Sequence, residues 1–238
     1  MPDWGATSAP TTVYKLEDLG ELAARLGSID TFDRRGDVLL LEDFESGLAR
    51  WMDAGAGTGN TVDLSMTGAR SGLFSCRLVA GSTGDAEGAI RTVVPIPAIT
   101  RIGLEVKWTL PTDYLSFDLV LLAATGSRIL TAACRFLDAL NAIQYQASDG
   151  SWVTLEDSPG IPAGAYAWST FKIVVDLEDE EYARIIVNES SWSPVGAAVP
   201  AIDSAQTPYV IVQLELHGQV GSNAEIRVDD VIVTQNEP

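Results

Sequence analysis

Carboxylates on alternate positions of one strand can divide glycoside hydrolysis between them, one attacking or activating water and the other protonating the leaving oxygen. The nearest approach to that pattern in this chain is Asp176, Glu178 and Glu180. They fall at a hairpin tip crowded by Asp179 and Glu181, between apolar runs at 171–176 and 182–188. A general acid needs burial to raise its pKa. A hydrated tip does not supply it, so these acids read as a solvated turn.

His217 is the only histidine, so any serine or cysteine triad would have to be built on it. It stands with Ile211, Gln213 and Glu215 on one side of a strand whose other side is Val210, Val212, Leu214 and Leu216. No GxSxG elbow accompanies it, and without a second histidine a zinc site is not expected. The alternation assigns it to a polar sheet face that could meet a sugar or a protein.

Aromatic planes stack on sugar rings while Asn, Asp and Gln hold hydroxyls, which directs attention to the six tryptophans, Trp4, Trp51, Trp108, Trp152, Trp168 and Trp192. Trp108 shares a strand face with Leu104 and Val106, and Trp168 precedes Phe171, so both read as packing residues. Trp152 lies beside Asp149-Gly150 and Trp192 beside Ser193-Pro194, where exposure is expected. The glycan-binding candidates are therefore Trp152, Trp192, Gln213, Glu215 and His217. The glycine-rich AGAGTGN segment ending at Asn60 resembles a phosphate loop only superficially, because no helix follows it.

The elements that must position these residues are strands. Up to Thr12 the chain is small and polar, an extended arm. Leu16, Leu19, Leu22 and Leu26 then recur at helical spacing before Gly27, and their stripe is a candidate surface for docking a protein partner. Near Asp37 the period changes from 3.6 to 2, which divides the chain into an arm at 1–37 and a domain at 38–238. Twelve or thirteen short strands separated by turn residues, with no helix of useful length, predict two packed antiparallel sheets. An Asp149-Gly150 turn joins one hairpin. The opening VLLLEDFESGLARW anchors its acidic turn with Trp51. The closing IRVDDVIV alternates Ile226, Val228, Asp230 and Ile232 against Arg227, Asp229, Val231 and Val233.

Composition excludes several classes. A formal charge of −18 argues against a nucleic-acid partner, which would need clustered Lys and Arg. No apolar run of about 18 residues offers a membrane span, and MPDWGATSAP has neither the basic start nor the apolar core of a secretory signal. Cys76 and Cys134 sit inside apolar strand patterns, as free core residues do.

Four segments carry a resemblance: DFESGLARW, GARSGLFSCRL, WSTFKIVVDLEDEEYARIIVN and VDDVIV. Together they resemble the jelly-roll superfamily of concanavalin-like lectins, laminin-G-like domains and carbohydrate-binding modules, over 38–234. The resemblance implies an all-β, two-sheet antiparallel jelly roll, a sandwich that hosts enzymes, lectins, adhesion modules and capsid components alike. The Glu-x-Asp-x-Glu run of the family's glucanases is absent. Related carbohydrate modules hold a structural calcium between the opening turn and the closing strand, and the matching positions here are Glu45 of DFES and Asp229 of VDDV. No other cofactor is expected.

Three functions follow in order. First is a non-catalytic structural protein of a virion, a capsid decoration or tail accessory, docked by its arm onto a protein partner or a second copy of itself. Second is a carbohydrate-binding module, and third a glycoside hydrolase.

Overall fold

Alternation of apolar and polar residues from Asp37 onward folds into strands, as a period of two requires. The computed structural model describes residues 36–83, 86–96, 98–110, 114–164 and 166–238; Leu16, Leu19, Leu22 and Leu26 of the expected arm lie outside them. Among the described residues the strands are β1 (Asp37–Glu42), β2 (Met52–Asp53), β3 (Thr61–Ser65), β4 (Ser75–Val79), β5 (Glu87–Val94), β6 (Arg101–Thr109), β7 (Tyr114–Ala124) and β8 (Arg128–Leu137). They continue as β9 (Ala142–Gln146), β10 (Trp152–Asp157), β11 (Trp168–Asp176), β12 (Glu181–Val187), β13 (Ser190–Trp192), β14 (Ala201–Asp203), β15 (Tyr209–Gly218) and β16 (Glu225–Gln235). The strands that the period leaves unmarked, β2, β13 and β14, are two or three residues long, too short to display an alternation.

The strands form two antiparallel sheets. The first runs β13-β12-β11-β6-β16-β4-β3, with β1 also on β16; the second runs β10-β9-β8-β7-β15-β5-β2, with β14 also on β8. This is the jelly-roll sandwich that the sequence predicts. Its core lies between the inner faces, where Trp108 of β6 stacks on Phe117 of β7 with ring centroids 5.0 Å apart and meets Phe136 of β8 at 5.8 Å. Cys76 and Cys134 are both buried and free, as expected, one in each sheet. The hairpin between β9 and β10 turns on Gly150 at φ +82°, with Gly150 N–H donating to Ala147 O at 2.8 Å.

The closing strand departs from its expected alternation. Asp230 adopts a left-handed conformation at φ +46°, and the pairing of β16 with β6 shifts between Asp229 and Ile232. The extra residue reverses the phase of the strand. Ile226 and Val228 face the core before the bulge; after it Val231 and Val233 do so, while Ile232 is only partly buried. The bulge also divides the edge of β16, whose first half pairs with β4 and second half with β1.

Candidate functional site

The outer face of the second sheet collects polar residues from six strands. Cross-strand partners in register share a face, and one such line passes through Ala89, Glu215, Asp118, Arg135, Gln144 and Thr154, on β5, β15, β7, β8, β9 and β10 in turn. A parallel line places His217 between Glu87 and Ser116. On the other side Gln213 lies opposite Arg91, and Trp152 opposite Gln146. At a strand spacing of about 4.8 Å the six strands span roughly 24 Å.

Side chains along the line are fastened to one another. Arg135 Nε donates to Gln144 Oε1 at 2.9 Å, and Gln144 Nε2 donates to Thr154 Oγ1 at 3.1 Å. The Arg135 guanidinium carbon lies 4.0 Å from the centroid of the Trp152 ring, a cation–π contact that orients the indole. At the other end Gln213 Nε2 donates to Glu215 Oε1 at 2.5 Å. His217 Nε2 is 3.3 Å from Glu215 Oε2 and 3.6 Å from Asp118 Oδ2. Burial alone would lower the His217 pKa, but the hydrogen bonds and charges of Asp118 and Glu215 outweigh it and push it up to about 10. The imidazole is then charged at neutral pH. Burial, then the Glu215 charge, raises the Glu87 carboxyl above its ordinary range.

Of the glycan-binding candidates, Trp152, Gln213, Glu215 and His217 meet on this one face. Trp192 does not join them: it belongs to β13 at the edge of the first sheet, paired with Ile185 and packed against the core. Glu87, Asp118, Arg135 and Gln144 escape a reading by strand alone. Their one signal is a polar or charged side chain set in an apolar run, as Asp118 is in YLSFDLVLLAA and Arg135 in RILTAACRFL.

Glu45 and Asp229 both grip the loop at 70–74. Glu45 Oε1 accepts from the N–H groups of Leu73 at 2.6 Å and Phe74 at 2.7 Å, and Asp229 Oδ2 from those of Arg70 at 2.8 Å and Ser71 at 3.2 Å. Gly72, at φ +64°, sits where L side chains are strained, and a Cβ there would also push the Glu45 carboxylate aside. Burial, reinforced by the charge of Asp230, pushes Asp229 up to about 7 even though three backbone N–H groups bind it. The loop turns N–H groups rather than carbonyls toward both carboxylates.

The acidic hairpin tip is a turn. Asp176 Oδ1 accepts from the N–H groups of Glu178 and Asp179, both at 3.1 Å, its Oδ2 from Arg101 Nε at 2.7 Å, and Glu180 pairs with Arg128 at 2.5 Å. Among the described residues no helix is long and apolar enough to cross a membrane.

No family model matches the sequence, and no curated protein matches it. Solved structures do match the fold. The chain is similar to "Cellulose induced protein, Cip1", with a TM-score of 0.55 and 16% identity over 82% of this chain and 96% of that one. An endo-beta-1,4-glucuronan lyase from the fungus Trichoderma reesei matches with a TM-score of 0.52 and 12% identity, over 83% of this chain and 95% of that one. A sialidase matches at 0.55 and 11% identity, with 85% of this chain covering 19% of that chain. Structures named as carbohydrate-binding modules also match, at TM-scores of 0.38 to 0.49. At these identities the likeness is one of fold.

Proposed function

We propose that this protein is a non-catalytic carbohydrate-binding module whose glycan lies across the outer face of the second sheet. The observation that carries the reading is the line Glu215, Asp118, Arg135, Gln144 and Thr154, ending beside Trp152, whose ring Arg135 holds. Sugar recognition needs an aromatic plane for the ring face and fixed donors and acceptors for the hydroxyls; Trp152 offers the first, Glu215, Arg135 and Thr154 the second, and buried Asp118 and Gln144 lie between them in the line. A net charge of −18 repels polyanions, so the expected ligand is a neutral polysaccharide. Two neighbours named for acting on glycans, a sialidase and a glucuronan lyase, support a glycan-related role ahead of the virion role that the sequence ranked first.

The test is a screen of the full chain against immobilised polysaccharides, repeated with Trp152→Ala. Binding of a neutral glycan that the substitution abolishes, with the melting temperature unchanged, is the expected result. A chain that binds no glycan, or binds equally well without the indole, refutes the proposal. Glycan cleavage is the second reading, favoured by the three carboxylates gathered around His217. Release of soluble sugar from the bound polysaccharide would establish it.

A further inference from the structure

We propose that Glu87, Glu215 and His217, with Asp118 beside the imidazole, form a binding site for one divalent transition-metal ion of the zinc class. Glu87, Glu215 and His217 each offer a ligand atom within 4.8 Å of the others. The distances that are closest agree with zinc geometry. With ligands about 2.0–2.2 Å from the metal, the edge of a tetrahedron is about 3.4 Å, and His217 Nε2 stands 3.3 Å from Glu215 Oε2 and 3.6 Å from Asp118 Oδ2. The His217–Glu215 pair therefore sits close to ligand spacing before any ion enters.

Asp118 supplies an independent indication. Its side chain is 8% exposed, and its Oδ2 points at the imidazole, yet Oδ1 has no hydrogen-bond partner. A buried carboxylate oxygen without a donor costs on the order of a lost charged hydrogen bond. A cation held by Glu87, Glu215 and His217 would place positive charge beside this under-satisfied carboxylate and offset three carboxylates at once. The donor set, one imidazole nitrogen with carboxylate oxygens, selects a zinc-type ion over calcium or magnesium, which take oxygen alone. His217 would ligate through a neutral imidazole nitrogen. All four residues lie on strands in register, which keeps the site preformed.

This inference goes beyond the glycan reading and does not depend on it, because ion binding is measured with no sugar present. The full chain, stripped with a chelator, is titrated with zinc by calorimetry and with cobalt(II) by visible absorption. Because His217 is the only histidine, its imidazole resonances report the site in the unaltered protein. One zinc per chain, a shift of the His217 signals at one equivalent, and the absorption bands of four-coordinate cobalt are expected. His217→Gln should abolish the cobalt bands, and Asp118→Asn should weaken zinc at least about tenfold. Histidine signals that do not move at saturating zinc overturn the proposal without recourse to a variant, and so does zinc affinity unchanged in His217→Gln. A chain that binds zinc but no glycan refutes only the glycan reading, and the reverse outcome refutes only the metal site.

Discussion

The Tyr182 hydroxyl accepts a hydrogen bond from the Ala133 N–H at 2.9 Å, joining the first sheet to the second through the core. The edge of β8 explains it: β9 covers Cys134–Leu137 and β14 covers Arg128–Leu130, so Ala133 lies between them, opposite neither strand. The same hydroxyl lies 3.1 Å from Ala133 O and 3.0 Å from Gln146 O, either of which can accept its proton. We expect Tyr182→Phe to leave the Ala133 N–H without this acceptor and to cost about 1–3 kcal/mol. A denaturant midpoint equal to that of the parent would show that the hydroxyl is dispensable.

Arg135 holds both Trp152 and Gln144, so its removal should loosen the sugar-facing side chains without disturbing the core. A cation–π contact of about 0.5–1 kcal/mol predicts glycan affinity weaker by roughly two- to fivefold in Arg135→Ala. Lysine should restore part of it, since it keeps the charge and loses the planar fork. Affinity that is the same in all three proteins would separate Arg135 from the binding face.

Acid should weaken the β11–β12 hairpin through Asp176. Burial pushes this carboxyl up, but Arg101 and the N–H groups of Glu178 and Asp179 outweigh it, and the net shift is downward. A depressed pKa means that the unfolded chain binds the proton more readily, so the stabilisation is present above the unfolded value of about 3.9 and is lost as pH falls below it. Asp176→Asn should flatten this part of the acid slope of stability. A parent and variant with parallel acid-unfolding profiles would contradict the assignment.

Calcium bridging Glu45 and Asp229 would stabilise the folded chain, by about 2.7 kcal/mol at a hundredfold excess over its dissociation constant. With zinc excluded, a melting temperature higher in calcium than in chelator, with the difference lost in Glu45→Gln, would reveal such an ion. Coincident curves for the parent would mean that the two carboxylates hold the 70–74 loop unaided.

The sequence by itself determined the strands and the faces they present wherever pairing is regular. Val210, Val212, Leu214 and Leu216 alternate with Ile211, Gln213, Glu215 and His217, and the structure buries the first set entirely. Side-chain direction in a strand is a local property of a backbone with a period of two, so no tertiary information is needed. The same rule misplaced the end of β16, because one left-handed residue at Asp230 reverses the phase, and nothing in the spelling VDDVIV marks that step. Which strands lie side by side was decided only by the tertiary structure. Register brings Glu87, Asp118 and Arg135 onto the line or its neighbour beside Glu215 and His217, although they lie far apart in sequence. It also sends Trp152 and Trp192, equivalent by their turn-flanking context, to opposite sheets. Pairing across a sandwich is set by the total fit of two apolar inner faces, a sum over the whole chain that no short stretch contains.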